Sequence, residues 1–250
     1  MKIVKHDKRI LKTVIATVVL LAAFFVQGAV VVMGGIVGTK SALIRGVIIW
    51  TLVILTLCYY GIRYKGFSRL GFVRMEKGAA KRLLYFAPLL VIAFSHFTAG
   101  FDMSEGIKFA MANVIFTLSI GMAEEIYFRG IICNIWLDEG NVKAMLVSAI
   151  LFALCHLLNM AGGASVTATI LQICFAFIYG LVFALIFTAG KSIVPCVLLH
   201  SLHDFCSFIS ADGSLSFNIL LGSIQVVILI LYLIYLVNTV VRKDKTNESI

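Results

Sequence analysis

Apolar residues in this chain run in blocks rather than alternating with polar ones. Uninterrupted apolar stretches of about 17–25 residues, the length that spans a bilayer, fall near 11–34, 43–62, 83–99, 108–136, 144–160, 167–189, 192–209 and 216–240. Blocks of that length satisfy their backbone in lipid only as helices. The pattern predicts an all-α polytopic membrane helix bundle with about eight transmembrane helices, built as a single integral-membrane domain over 1–250. No internal repeat or low-complexity tract interrupts it, and disorder is expected only at the short charged ends. The first block follows a basic leader but is too long for a signal-peptide core, so it reads as a retained anchor.

Composition sharpens this reading. Of 250 residues 61% are hydrophobic and 13% charged, against about 45–50% and 25% in soluble domains. The net charge of +9 would suit nucleic acid, yet its placement along the chain gives another account. With the N-terminus in the cytoplasm, the inside segments hold 17 basic residues: Lys2, Lys5, Lys8, Arg9 and Lys12; Arg63, Lys65, Arg69, Arg74, Lys77, Lys81 and Arg82; Lys143; Lys191; Arg242, Lys243 and Lys245. The outside segments hold Lys40 and Lys108, while Arg45 and Arg129 lie within spans. The positive-inside rule then puts both termini in the cytoplasm of a cell membrane, and no nucleic-acid partner is needed. The six cysteines sit in or at the ends of apolar blocks without a CxxC pair. They read as small hydrophobes.

Charged groups inside the spans carry the functional signal. A charge at a helix centre costs about 2.5–3.5 kcal/mol even on a lenient scale, and such residues mark sites by default. The fourth block holds Glu124, Glu125 and Arg129 in "AEEIYFRG", the fifth holds His156, and the seventh holds His200, His203 and Asp204 in "HSLHD". Glu125 and Arg129 are four apart, with the glutamate N-terminal, the spacing and order of a helical ion pair. Glu124 is turned about 100° from that face and is free to meet something else. His200 and Asp204 share a face, and His203 lies close to it. At about 1.5 Å per residue from the cytoplasmic side, Glu124, His156 and His200 fall between the midplane and the inner leaflet. His96 stands alone and reads as a hydrogen-bonded helix contact.

A carboxylate, two histidines and an aspartate, with no Ser or Cys placed as a nucleophile, point to activation of water rather than covalent catalysis. Hydrogen-bond donors beside them would stabilise an oxyanion. The set suits hydrolysis of an amide at or within the bilayer.

Three motifs in order, EExxxR (Glu124, Glu125, Arg129), FxxxH (Phe152, His156) and HxxxD (His200, Asp204), resemble the CAAX protease and bacteriocin-processing family of intramembrane proteases, also called Abi or CPBP. The resemblance implies a catalytic core over 107–208. It implies that Glu124 activates water with His156, that His200 and Asp204 form the oxyanion side, and that Glu125 and Arg129 hold the helix. Many members carry Asn at the last position, where this chain has Asp204. The implied activity is an endopeptidase acting on a membrane-associated peptide or lipidated protein tail. No cofactor is expected; the alternative is zinc held by Glu124, His156, His200 and Asp204. The other functional class is a non-enzymatic self-immunity factor or a proton-coupled transporter, although the broken helices and repeats of transporters are not visible.

Overall fold

Each apolar block becomes a helix, and the chain reverses between blocks where the backbone turns left-handed. Gly35 (φ +59°) and Gly38 (φ +61°) carry the first reversal, in a conformation that glycine adopts without penalty. The computed structural model describes residues 2–102 and 104–241, with side chains over 7–102 and 104–240. Setting single turns aside, the described residues form α1 (Lys2–Met33), α2 (Gly38–Tyr64), α3 (Ala87–Ser95), α4 (Gly106–Glu125), α5 (Asn141–Cys155), α6 (Val166–Gly190), α7 (Val194–Phe208) and α8 (Leu215–Leu236). None of the described residues forms a strand; one isolated bridge joins Phe101 and Ser210.

Six of these helices are long and apolar enough to cross a membrane. The third and seventh predicted spans are shorter. The stretch around α3 is an apolar run over Leu84–Ala99 broken into separate turns. Helix α7 has 15 residues, about 22 Å at 1.5 Å each, against a hydrocarbon core of about 30 Å. Apolar composition alone does not reveal where a helix stops.

The bundle has two ends. At one, Arg9 bonds Asp138 (3.0 Å) and Glu139, and Lys191 approaches Glu76 (3.7 Å). At the other, the Thr39 N–H donates to Glu105 (2.9 Å), and the Phe101–Ser210 bridge ties the end of α3 to that of α7. The basic residues over 8–12, 63–82, 143 and 191 all belong to the first end, and Lys40 and Lys108 to the second. Arg242, Lys243 and Lys245, and the side chains of Lys2 and Lys5, lie outside the described residues.

Packing is layered around α4 and α6. Helix α2 and α7 both lie against α4, and α5 lies against α6. Outer faces of α1 and α8 leave Val18, Phe25, Leu220 and Leu231 exposed, as lipid-facing surfaces require. Gly180 lets α5 and α6 touch, since a Cβ there would stand 3.2 Å from Ala149 Cα. Small residues at crossings are the usual means of close approach between membrane helices.

Candidate active site

Helices α4 and α7 carry the cluster, and a glycine lets them meet. A Cβ at Gly121 would collide with Ser201 Oγ and lie 3.1 Å from the Val197 carbonyl oxygen. With that space clear, the imidazole next to Ser201 reaches both carboxylates one turn along α4. His200 Nδ1 lies 2.8 Å from Glu125 Oε1, and we assign its N–H as donor to the carboxylate. Its Nε2 stands 3.5 Å from Glu124 Oε2 and 3.7 Å from Asp204 Oδ2. One imidazole thus faces three carboxylates.

Glu125 does more than the ion pair expected of it. Arg129 Nη1 donates to its Oε1 at 3.0 Å, both side chains being wholly buried. The same oxygen accepts His200, while Oε2 has no hydrogen-bond partner. Arg129 Nη2 donates to the Gly180 carbonyl (3.1 Å), and its guanidinium lies 4.6 Å above the Phe152 ring. Arg129 therefore ties α4 to α6 as well as to Glu125. Directly after Glu125 the chain widens into a π-helix over Ile126–Cys133, a form found mostly as short insertions at functional sites.

His156 caps the end of α5. Its Nδ1 is 3.0 Å from the Phe152 carbonyl; a carbonyl only accepts, so Nδ1 carries the proton and Nε2 is left free. Glu124, His156, His200 and Asp204 all line one cavity of about 730 Å³. His203 lines the cavity too, but packs among aromatic rings. It stacks on Phe175 (ring centroids 5.6 Å apart) and meets His96 edge-on (4.9 Å), with Nδ1 buried and unpartnered.

The cavity runs toward the end of the bundle opposite the N-terminus, where Met33, Gly162 and Ala164 line it. On the other side the cluster is closed off. Gly130 packs on the Leu70 backbone, where a Cβ would come within 2.8 Å of the carbonyl oxygen. The Ile193 N–H donates to the Gly71 carbonyl (2.9 Å), and Leu70 and Ile193 are fully buried. This packed layer lies between the cluster and the basic end of the bundle. Straight-helix depth says nothing of what fills the space beneath a site.

Sequence reasoning missed the walls. Tyr179 and Phe183 of α6 meet His200, Phe175 meets His203, and Gly180 receives Arg129, yet α6 carries no charge. Its sole signal is a Tyr-Gly pair inside an apolar run. For zinc, the donors do not fit as they stand. Among the described residues no three His, Cys, Asp or Glu side chains are grouped to hold a metal ion.

Residues 106–206 match the family described as type II CAAX prenyl endopeptidase Rce1-like. Over this segment the chain is similar to the Rce1-like family. The Rce1-like segment contains every residue singled out above for chemistry, from Glu124 to Asp204. Hydropathy and this likeness together make this an integral membrane protein, and the likeness supports an intramembrane endopeptidase in general. No curated protein and no solved structure matches the chain.

Proposed function

We propose that the protein hydrolyses a peptide bond of a membrane-associated, lipidated protein tail, using water activated by Glu124. The observation that carries this reading is the convergence of Glu124, His156, His200 and Asp204 on one cavity inside an Rce1-like segment. Glu124 pairs with no arginine or lysine among the described residues. His156 Nε2 is free to accept from the same water. The water oxygen bonds to the scissile carbonyl carbon, and Glu124 takes the water proton and returns it to the amine as the C–N bond breaks. His200, held by Glu125, donates from Nε2 to the oxyanion in its imidazolium form, and Asp204 orients it or donates when protonated. The basic end of the bundle lies in the cytoplasm.

Metal is the point on which this mechanism is most exposed. Purified protein is expected to cut a farnesylated C-terminal peptide, followed by mass spectrometry, after exhaustive chelation. Asp204→Asn is expected to keep activity within a few-fold or raise it, since an amide always offers an N–H. Stoichiometric zinc lost together with activity, and restored by zinc but not magnesium, would overturn the metal-free mechanism.

Orientation has its own check. Reporter fusions after residue 75 are expected to report cytoplasm, and fusions near 104 and 213 the opposite side. An external signal from the 63–82 loop would reverse the assignment.

A further inference from the structure

One tyrosine hydroxyl in the cavity is left without a partner, and the mechanism above does not use it. Three tyrosines among the described residues are buried: Tyr127, Tyr179 and Tyr232. Buried tyrosine hydroxyls usually find a hydrogen-bond partner. Tyr127 shares a bond with Thr56 Oγ1 (3.1 Å), and Tyr232 donates to the Leu83 carbonyl (2.7 Å). The Tyr179 hydroxyl bonds to nothing among the described residues, yet it is not one of the unpartnered atoms sealed off from solvent. Tyr179 lines the cavity that holds Glu124, His156, His200 and Asp204. Its free O–H therefore opens into that cavity.

The ring that carries it is firmly held. It stacks on Phe175 (centroids 5.5 Å apart) and on Phe183 (4.3 Å), four residues away on either side along α6. It meets the His200 ring edge-on at 5.8 Å. The next residue, Gly180, takes the Arg129 bond and packs on Ala149, which fixes this turn of α6 against α4 and α5. Asp204 and Glu125 are within electrostatic reach of the hydroxyl. The other hydroxyl and amide side chains along the cavity are placed for different work. Gln27 accepts from Arg45, and Asn159 donates to Gln172 (2.7 Å). Ser207 stands seven residues beyond His200 on α7, about 10 Å along the axis.

We propose that Tyr179 is a catalytic hydrogen-bond donor that holds the oxyanion of the tetrahedral intermediate together with His200. This rests on the peptidase reading above. As the water oxygen bonds to the scissile carbonyl carbon, the C=O π pair moves onto the carbonyl oxygen. The Tyr179 O–H donates to that oxygen without giving up its proton, and the pair returns to the C=O bond as C–N breaks. A second donor is needed because His200 faces three carboxylates. They compete for its N–H groups and repel an oxyanion, and an ionised Asp204 offers no donor at all. A neutral phenol adds a donor without adding another charge to desolvate.

Tyr179→Phe keeps the stacked ring and removes the O–H alone. In full-length protein in nanodiscs, turnover of a farnesylated peptide is expected to lose about 10²–10³ in kcat, the effect of one oxyanion donor. KM should stay within about threefold, the signature of an interaction made only in the transition state, and abundance should be normal. A phosphinate analogue of the peptide, tetrahedral and anionic at the scissile position, gives the readout that a structural role would not move. Tyr179→Phe should weaken its binding in step with the loss in kcat/KM. Binding of the uncut peptide to Glu124→Gln protein should be the same with or without Tyr179→Phe. Cleavage by Tyr179→Phe within about threefold of wild type would overturn the donor. So would equal weakening of phosphinate and uncut peptide, or loss of the folded protein, since either makes the hydroxyl structural. Wild-type protein that cuts no peptide would refute the peptidase reading itself, which a failure confined to Tyr179→Phe leaves intact.

Discussion

Glu124→Gln is expected to abolish peptide cleavage and to leave the protein as abundant in the membrane as the wild type. Its carboxylate is nearly buried, with a side-chain exposure of 14%. Among the described residues no arginine or lysine pairs with it, so the amide replaces it without orphaning such a cation. What the amide cannot do is accept and return a proton, a function worth about 10²–10⁴ in rate. Membrane abundance by immunoblot and turnover of a farnesylated peptide measure the two effects separately. Substantial residual cleavage, or loss of the protein itself, would remove Glu124 from the role of general base.

Glu125→Gln is expected to have the opposite signature, with the protein failing to accumulate. Arg129 is wholly buried, and among the described residues its one carboxylate partner is Glu125. Removing one member of a buried pair costs about 3–5 kcal/mol, whereas replacing both with apolar groups is often neutral. That is a large share of the 5–15 kcal/mol that holds a typical domain folded. The double variant Glu125→Gln with Arg129→Met is therefore expected to recover abundance. It should not recover activity, because His200 Nδ1 would lose the carboxylate that orients it. Normal abundance of the single variant would show that the pair does not hold the helices together. Full activity of the double variant would show that His200 needs no such support.

Much of the site was legible because charge in lipid is costly and therefore conspicuous. Glu124, Glu125, Arg129, His156, His200 and Asp204 stand out from apolar runs, and the structure brings all but Arg129 to or beside one cavity. Local spacing revealed the Glu125–Arg129 contact. It could not reveal that Glu125 Oε1 also holds His200, 75 residues away, since no helical period links two helices. The π-helix after Glu125 was equally hidden: its residues are as apolar as those of an α-helix, and only the backbone register differs. The aromatic wall from α6 looked like ordinary lipid-facing sequence. Arg45 was visible as a charge within a span, but its place beside Phe116 depends on how α2 meets α4.

The local pairing within each charged helix bears on how the chain enters the bilayer during synthesis. Glu125 and Arg129 belong to one segment, and so do His200 and Asp204. Each segment can leave the ribosome with a partner for its own ionised group, before the other exists. The α4 segment emerges about 70 residues ahead of α7, at synthesis rates of about 5–20 residues per second. For those seconds Arg129 already has Glu125, while Glu124 waits unpaired near the membrane. Insertion can therefore proceed helix by helix, and the contacts across helices that assemble the site form only afterwards, as lateral docking within the lipid.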